Sequence, residues 1–348
     1  MATPTELGAQ ITSMALDAGF AAAGVCRAEP TRWADEMRAW LDAGRHGEMG
    51  YLEDDLEVRL DPAALLDGGR SVLMVADLYA TRGDVERPEP GVGRIARYAR
   101  GRDYHRVIKK RLHAMADRLR VLFPGSEFRS FVDTAPIVER ELASRCGIGW
   151  VGKHTLVINP RLGSWMLLGG FVTTLELEPS VSQATVTDHC GSCTRCIEAC
   201  PTDAIRPYSV DGSRCISYLT IEHRSAIDPA FYQPIGDWLV GCDICQEVCP
   251  HNSERNGDVG TRHEAYGSKR SGFDLLELLE WDERERRNAF ATSPMKRVNL
   301  AMIKRNAVIV AGNHLALPGL RERIEAIAAD DVEDEVVRET ARAVLSDA

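Results

Sequence analysis

The stretch Cys190-Gly-Ser-Cys193-Thr-Arg-Cys196-Ile-Glu-Ala-Cys200-Pro201 sets the organisation of this chain. Its spacing, C-x2-C-x2-C-x3-C-P, is the one by which bacterial ferredoxins hold iron–sulfur clusters. A shorter run of the same kind follows at Cys242, Cys245, Cys249 and Pro250, and Cys215 lies alone between the two runs. Together these features supply eight cysteines, which is two sets of four.

The spacing also predicts which thiols bind together. A 4Fe–4S cube needs four thiolates at tetrahedral corners, and a tight loop with two-residue gaps supplies three of them. The fourth thiol of each run points away from its own loop and binds the other cluster. We therefore assign one cluster to Cys190, Cys193, Cys196 and Cys249, and the second to Cys200, Cys215, Cys242 and Cys245.

Two other uses of these cysteines are weaker alternatives. A zinc ribbon usually has Cys-x2-Cys pairs without the third thiol and the Cys-Pro ending. Disulfides suit a small secreted domain, whereas this chain has 348 residues.

The composition describes an ordinary soluble protein, with 44% hydrophobic and 27% charged residues and room for two or three domains. The N-terminal residues include no basic segment, apolar segment or twin arginine, so we expect no secretion signal. The longest apolar run, near 165–173, is too short to span a membrane. We therefore expect a cytoplasmic protein, and we expect a monomer.

Positive charge is concentrated in two places, although the net charge is −10. Residues 94–111 include eight Lys or Arg against one acid, Asp103, with Tyr98, Tyr104 and His105 among them. The second place holds Lys296, Arg297, Lys304 and Arg305. The net charge argues against a general nucleic-acid-binding protein, but focused basic patches can bind a polyanion at one face. A solvated helix face remains the alternative reading of residues 104–119.

Helices and strands alternate in the first half of the chain. Thr3-Pro4-Thr5-Glu6 predicts a capping box, and strands are expected at 20–26, 71–79 and 128–132. Asp103 is expected to cap a long helix, and a second helix is expected from Thr134 to Gly147. Residues 155–158 and 164–168 are expected to pair as a hairpin. The prediction is an α/β domain over 1–178, followed by a ferredoxin-like domain with two 4Fe–4S clusters over 179–255.

The last part of the chain is predicted to be all-helical. Segments at 273–290, 294–311, 315–329 and 331–346 carry apolar residues at three- and four-residue spacing. Antiparallel helix pairs like HEAT repeats are the expected arrangement, so 256–348 is taken as an all-α, HEAT-like region.

Three further stretches accompany the cysteine runs. They are Ile95-Ala-Arg-Tyr-Ala-Arg-Gly-Arg-Asp-Tyr-His105, Gly149-Trp-Val-Gly-Lys-His-Thr-Leu156 and Cys215-Ile-Ser-Tyr-Leu-Thr-Ile-Glu222. The cysteine runs alone fit many ferredoxin-type proteins. Combined with these stretches in this order, they make the chain resemble epoxyqueuosine reductases over nearly its whole length.

This resemblance implies a cobalamin-dependent oxidoreductase that converts epoxyqueuosine to queuosine at the wobble position of a tRNA anticodon. It implies that the N-terminal α/β domain binds cobalamin, which lies against the ferredoxin-like domain. It also implies that an electron donor, which the sequence does not identify, feeds the corrin cobalt through the two clusters. The partner would be the anticodon stem-loop of a queuosine-family tRNA, with no role for a membrane.

The resemblance also assigns roles to particular residues. Asp133 matches the family's proposed acid, and such an acid needs burial to raise its pKa from about 3.9 towards neutrality. Capping of the following helix is the alternative role for Asp133. Arg59, Arg97, Tyr98, Ser217 and Tyr218 are candidate corrin neighbours together with Asp133. The candidate tRNA contacts are His105, Arg106, Lys109, Lys110, Lys296, Arg297, Lys304 and Arg305.

Two other functions compete with this one. A corrinoid reductive dehalogenase shares the plan of two clusters beside a corrin, but such enzymes generally have a twin-arginine leader and a tyrosine acid. A 4Fe–4S electron carrier would use the N-terminal domain only to dock a partner, and it would take up no corrin.

Overall fold

The structure is a computed structural model, and it describes residues 2–81, 89–179, 186–253, 260–267 and 270–346. No helix within these ranges is long and apolar enough to cross a membrane. The elements of the first region are α1 (Pro4–Asp17), β1 (Ala22–Arg27), α2 (Ala34–Asp42), α3 (Leu56–Leu60), β2 (Ser71–Leu78), β3 (Val92–Ile95), α4 (Tyr104–Leu122), β4 (Phe128–Phe131), α5 (Glu139–Arg145), β5 (Trp150–Val151), β6 (Val157–Ile158) and β7 (Met166–Thr173).

The rest of the chain contributes short elements around the cysteines and then longer helices. They are α6 (Arg195–Glu198), β8 (Ile205–Arg206), β9 (Ser209–Val210), α7 (Ile216–Ile221), α8 (Tyr232–Ile235), β10 (Trp238–Val240), α9 (Ile244–Glu247), β11 (Gly272–Asp274), α10 (Leu275–Leu279), α11 (Glu283–Phe290), α12 (Leu300–Gly312), α13 (Leu320–Ala329) and α14 (Glu335–Ser346).

An antiparallel sheet of order β1-β2-β7-β4 is the core of the first region. Every residue of β2 is buried, which explains its continuous apolar sequence. Leu73 and Val75 of β2 pack in one hydrophobic cluster with α1 and α4, whereas Val72 and Met74 pack in another with α5. Alternate side chains of a strand point to opposite faces, so helices cover the sheet on both sides. The first region is therefore α/β, as predicted.

A second sheet joins parts of the chain that are far apart in sequence. Its order is β10-β3-β11, with β3 parallel to β10 and antiparallel to β11. One strand thus comes from each of the predicted segments 1–178, 179–255 and 256–348. This division stays a prediction, and the shared sheet shows that the segments pack as one body around β3.

Two sequence-predicted helix starts are confirmed. The Thr3 side chain accepts a hydrogen bond from the Glu6 amide, and the Glu6 side chain accepts one from the Thr3 amide, which is a capping box. Asp103 caps α4 by accepting from the His105 amide. Helix α4 buries the Ile108, Leu112 and Leu119 side chains, and this face fixes it against the sheet.

Other predicted elements are wrong in detail. The 155–158 and 164–168 segments do not pair, because β6 pairs with β5 and the longer apolar run of β7 joins the central sheet. The helix expected from Thr134 begins only at Glu139, because turn hydrogen bonds, including Thr134 N–H to the Val132 carbonyl, occupy the backbone before it. The 273–290 segment divides into α10 and α11, each with its own aspartate cap.

Helix α12 lies inside the C-terminal region, where ten of its residues, Met302 to Ala311, are buried. It packs against α10, α14 and β10. Within the described ranges, every element after β11 is helical.

Candidate active site

Electrostatic interactions link thiols within each of the two predicted groups of four, and Cys196 of the first group also acts on Cys245 of the second. Burial and then the neighbouring thiols Cys190, Cys196 and Cys193 raise the pKa of Cys249 to about 11. Burial and then Cys215 also raise the pKa of Cys245, with a further contribution from Cys200. Burial and then Cys245 and Cys215 raise the pKa of Cys242. Within the described ranges, no group of three or more His, Cys, Asp or Glu side chains is placed to hold a single metal ion.

Three side chains outside the cysteine motif hold the loop of the first group. The Lys153 ammonium donates to the carbonyls of Gly191 (2.6 Å) and Cys193 (3.0 Å). The Trp150 indole N–H lies 3.5 Å from the Cys190 sulfur. The Asp188 carboxylate accepts from the Cys190 amide at 2.6 Å. The sequence pattern around Trp150 and Lys153 did not predict these roles.

Arg97 packs against the loop that carries Cys242 and Cys245. The sequence prediction placed Arg97 at the corrin rim, whereas the structure buries it among protein groups. Its amide and guanidinium donate to Asp243, at 2.8 and 3.1 Å, and the guanidinium also donates to Glu247 at 2.8 Å. The guanidinium lies over the Trp165 ring, 4.8 Å from its centroid, and Arg97 is only 7% exposed. The negative charge of Asp243, between Cys242 and Cys245 in sequence, holds this arginine inside the protein.

Asp133 lies between β4 and α5 in an unusual backbone conformation. Its φ is +57°, in the left-handed region that few residues other than glycine adopt. Its amide donates to Glu139 Oε1 at 2.7 Å. Its Oδ2 accepts from the Tyr104 hydroxyl at 2.6 Å and lies 3.3 Å from His105 Nε2. Helix α5 has Val138 as its N-cap residue, with no side-chain capping bond, so Asp133 does not cap it.

The pKa of Asp133 shifts in the direction opposite to the one expected from the sequence. Burial alone would raise its pKa, but the hydrogen bonds with His105 and Tyr104 outweigh burial and lower it. The side chain keeps 60% exposure although protein surrounds it closely, so water reaches the carboxylate and burial does not keep it neutral. Burial and then Asp133 raise the pKa of Glu139 to about 8.

Asp133 and the second thiol loop both lie close to one aromatic residue, Tyr98. A Cβ placed on Gly241, next to Cys242, would lie 2.6 Å from Ala96 Cβ and 3.3 Å from Tyr98 Cε1, so the chain there has no room for a side chain. Burial and then the charge of Asp133 raise the pKa of the Tyr98 phenol, which shows that Asp133 also lies near this ring.

Arg297, Glu222 and Tyr51 lie near Asp133 and Tyr98. Arg297 contacts Glu222, and its guanidinium lies over the Tyr51 ring, 5.4 Å from the centroid. The hydrogen bond with Glu222 raises the pKa of Arg297, and Asp133 adds to the shift. Electrostatic interactions join Asp133, Tyr98, Glu222, Arg297 and Tyr51, and we call the region that these five residues share the central opening.

The other predicted corrin neighbours differ in what they can offer a ligand. Arg59 is half-buried, and its Nε finds no hydrogen-bond partner among the described residues. Ser217 is half-buried at the start of α7. Tyr218 is buried, and its hydroxyl accepts from the Glu48 amide at 2.7 Å, so its contacts lie within the protein. The structure thus gives the Tyr218 hydroxyl a partner within the protein, and contact of Tyr218 with a corrin stays a prediction.

The predicted basic patches lie side by side. Arg106, Lys109 and Lys110 are exposed on α4, and Lys296 and Arg297 are exposed after α11. The two segments meet where the Asp103 amide donates to the Thr292 carbonyl at 2.7 Å. Five cationic side chains therefore lie on neighbouring segments beside the central opening.

Lys304 and Arg305 do not belong to this surface, which corrects their prediction as tRNA contacts. Lys304 forms a shielded ion pair with Glu333. Arg305 is fully buried and donates to the carbonyls of Leu219 (2.8 Å), His223 (2.8 Å) and Ser225 (2.6 Å). These bonds stabilise the packing of α12 on the cysteine region. Because Arg305 is fully buried, a phosphate group in solvent cannot reach it.

Two family models match the chain. The model described as a 4Fe-4S double cluster binding domain matches residues 189–252. The model described as "Epoxyqueuosine reductase QueG, DUF1730" matches residues 59–134. An epoxyqueuosine reductase of Shewanella oneidensis is 37% identical, with 96% of this chain and 86% of the relative covered. One of Xanthomonas campestris is 38% identical, with 93% and 91% covered.

The chain belongs to the epoxyqueuosine reductase family. Its 4Fe-4S double cluster domain spans both cysteine groups and Cys215. A crystal structure of an epoxyqueuosine reductase with an epoxyqueuosine-modified tRNA-Tyr stem loop matches with a TM-score of 0.86 and 28% identity, covering 98% of this chain and 90% of the other. A Bacillus subtilis epoxyqueuosine reductase, solved with its catalytic aspartate loop swung out of the active site, matches with a TM-score of 0.86 and 28% identity, covering 97% and 89%.

Within the family's fold, several site residues were missed by sequence reasoning. Tyr104 and Glu139 hold Asp133, Asp243 holds Arg97, and Lys153 holds the first cysteine loop. The signal for Tyr104 was present, since it is adjacent to His105 in the basic segment. No local signal marked Glu139 or Asp243, because their partners are distant in sequence or are backbone groups.

Proposed function

We propose that this chain reduces epoxyqueuosine to queuosine at the wobble position of a tRNA anticodon. The observation that carries the proposal is that Asp133 and the second thiol loop both lie close to Tyr98. Removing oxygen from an epoxide needs an acid and a source of electrons at one place, and this arrangement supplies both. Relatives named epoxyqueuosine reductase, and the related structure with a modified stem loop, support the substrate.

We propose two 4Fe–4S clusters with crossed ligation. The first is held by Cys190, Cys193, Cys196 and Cys249, and the second by Cys200, Cys215, Cys242 and Cys245. The mutual electrostatic effects within each group of thiols support these assignments. An electron donor, which we leave unidentified, would reduce the clusters.

We further propose that cobalamin binds at the central opening, in contact with Arg59, Tyr98, Ser217 and Asp133. The buried Nε of Arg59, which lacks a partner among the described residues, suits the amide carbonyls on a corrin rim. When bound, cobalamin in a low-valent state supplies electrons to the substrate. The protein's part is to hold the substrate, exclude water and supply protons.

Asp133 is the proposed proton donor. The reaction consumes two electrons and two protons, breaks both C–O bonds of the epoxide, forms a C=C bond and releases water. The Tyr104 and His105 contacts orient Oδ2 of Asp133. Its Oδ1 accepts no hydrogen bond from any residue the structure describes, so it can face the oxygen of the substrate. The catalytic aspartate loop of the related Bacillus subtilis enzyme supports this role.

The basic surface beside the opening is proposed to bind the tRNA backbone. Arg106, Lys109, Lys110, Lys296 and Arg297 would contact phosphates while the modified base enters the opening. Such contacts weaken with salt, by about 0.7 logarithmic units per phosphate in single-stranded regions.

The remaining proposals concern the whole chain. We propose that the N-terminal α/β region is the cobalamin-binding domain and that the helices after β11 form a HEAT-like region. The protein is proposed to act as a monomer in the cytoplasm, where its tRNA substrate occurs.

The direct test is anaerobic reconstitution with iron, sulfide and cobalamin, followed by a chemical reductant and tRNA that contains epoxyqueuosine. Nucleoside mass spectrometry should detect queuosine only when cobalamin and reductant are both present. Protein with intact clusters and bound cobalamin that forms no queuosine would contradict the proposal. Reconstituted protein that takes up no corrin would instead favour an electron carrier.

A further inference from the structure

His105 lies between two carboxylates, one at each of its ring nitrogens. Nδ1 is 2.8 Å from Asp103 Oδ1, and Nε2 is 3.3 Å from Asp133 Oδ2. The ring stacks on Tyr104 with centroids 4.0 Å apart. A neutral imidazole has one N–H and could donate to only one ionised carboxylate, whereas an imidazolium donates to both. The site is therefore built for a protonated His105.

Asp103, His105 and Asp133 form a chain of neighbouring groups that ends at the central opening. Asp103 is 16% exposed in its side chain, His105 29% and Asp133 60%. His105 therefore has water on one side and Asp133 on the other. Two residues of α5 also interact with Asp133. The charge of Arg140 helps to lower the pKa of Asp133, whereas burial and then Asp133 raise the pKa of Glu139 to about 8.

The proton count of the reaction requires that Asp133 be recharged during each turnover. Each epoxide that is reduced needs two protons, and Asp133 carries one at most. Asp133 is also held mainly as the anion, because its bonds with His105 and Tyr104 outweigh burial and lower its pKa. The same contacts, with Asp103, overcome the effect of burial and raise the pKa of His105. The stored proton is thus on the imidazole.

We infer that His105 is the proton carrier that charges Asp133, with Asp103 fixing the orientation of its ring. In each transfer the Nε2–H bond of the imidazolium breaks and an O–H bond forms on Asp133 Oδ2, and rotation of the carboxyl group about its Cβ–Cγ bond then turns this O–H towards the substrate oxygen. The neutral imidazole then regains a proton from water, and two such cycles serve one epoxide. His105 acts through Asp133 and does not touch the substrate. The inference rests on the proposed function, and it replaces the sequence prediction of His105 as a tRNA contact.

The test compares His105→Gln with His113→Gln, a change at an exposed histidine on the same helix. Loss of a proton-transfer group typically lowers a rate by a factor of 10²–10⁴, and we expect about 10- to 100-fold for His105→Gln because water still reaches Asp133. Added imidazole should restore part of the rate. The wild-type rate should fall as pH rises through the His105 pKa, and this limb should be absent in His105→Gln. Affinity for the tRNA should match that of His113→Gln.

Two further measurements keep the inference open to refutation if His105→Gln folds poorly. Asp103→Asn preserves the cap of α4, since asparagine also caps helices. It removes the negative charge beside His105 Nδ1 and so should lower the pKa of His105. The fall in rate at high pH should therefore begin at a lower pH than in the wild type. NMR titration of the protein without corrin should show a His105 pKa above about 6.5 that falls in Asp133→Asn.

Each outcome decides between alternatives. If wild-type protein makes no queuosine, the proposed function fails. If wild type does make it, and His105→Gln matches His113→Gln in rate and pH profile, the inference is wrong. Weaker tRNA binding by His105→Gln with a normal rate at saturating tRNA would show a phosphate contact instead.

Discussion

Replacing Asp133 by asparagine removes the proposed acid and leaves its surroundings nearly intact. Asparagine tolerates the left-handed conformation that Asp133 adopts at φ +57° better than most residues. Its amide oxygen can still accept from the Tyr104 hydroxyl, now 2.6 Å from Oδ2, and its backbone amide can still donate to Glu139. Folding, cluster content and corrin binding should therefore stay close to those of the wild type.

The expected loss of rate follows from the role of one acid. General acid catalysis contributes typically 10²–10⁴-fold, which is about 2.7–5.4 kcal/mol of activation free energy. We expect the upper part of this range for Asp133, because its Oδ1 accepts no hydrogen bond from the residues that the structure describes. Glu139, the nearest carboxylate, uses its Oε1 to accept from the Asp133 amide at 2.7 Å.

The assay is single-turnover conversion of epoxyqueuosine-containing tRNA, quenched in acid and read by nucleoside mass spectrometry. Iron analysis and the visible spectrum of bound cobalamin show whether the variant is loaded to the same degree. Asp133→Ala serves as a comparison, because alanine in the left-handed region costs about 1–2 kcal/mol and should lower stability as well. An Asp133→Asn rate within threefold of wild type at equal loading would refute the role of Asp133 as acid.

Four other changes test separate parts of the account. Cys249→Ala should lower iron from about eight to about four atoms per chain, whereas Cys26→Ala should leave it unchanged; equal iron in both would contradict the ligand assignment. Arg305→Met should destabilise the protein by at least about 3 kcal/mol in urea unfolding, because it leaves buried carbonyls without donors, and should leave tRNA affinity unaltered. Lys109→Ala should reduce the slope of log affinity against log salt by about 0.7, and an unchanged slope would remove it from the interface. Burial and then the charge of Arg140 lower the pKa of His154 to about 4. The unfolded chain binds this proton from about pH 6.5 downwards and the folded chain does not, so stability falls by about 3 kcal/mol between pH 6.5 and 4, a loss that His154→Gln should abolish.

The contacts of Asp133 explain how this residue keeps its unfavourable left-handed backbone conformation. Three bonds from separate groups, Tyr104, His105 and Glu139, hold it. A related Bacillus subtilis structure has its catalytic aspartate loop swung out, so such a loop has two positions in that protein.

The caps of α1 and α4 and the α/β character of the first region were determined by the sequence, which also predicts the cysteine ligands. These features depend on spacing within a few residues, on local hydrogen bonds or on alternation along one strand, and such patterns can be seen in the chain itself. The same holds for the family, since the stretches from Ile95 to His105 and from Gly149 to Leu156 lie next to the sites that they form.

Only the tertiary structure decided which basic side chains face solvent and which protonation state Asp133 adopts. Arg97, Lys304 and Arg305 have the same sequence signature as surface cations, yet each meets an acid or a set of carbonyls brought from a distant segment. The ring of His105 turns towards Asp133, 28 residues away, and leaves the solvent-facing patch. A charge is placed by the partners that compensate its loss of water, and those partners are assembled only when the chain has folded.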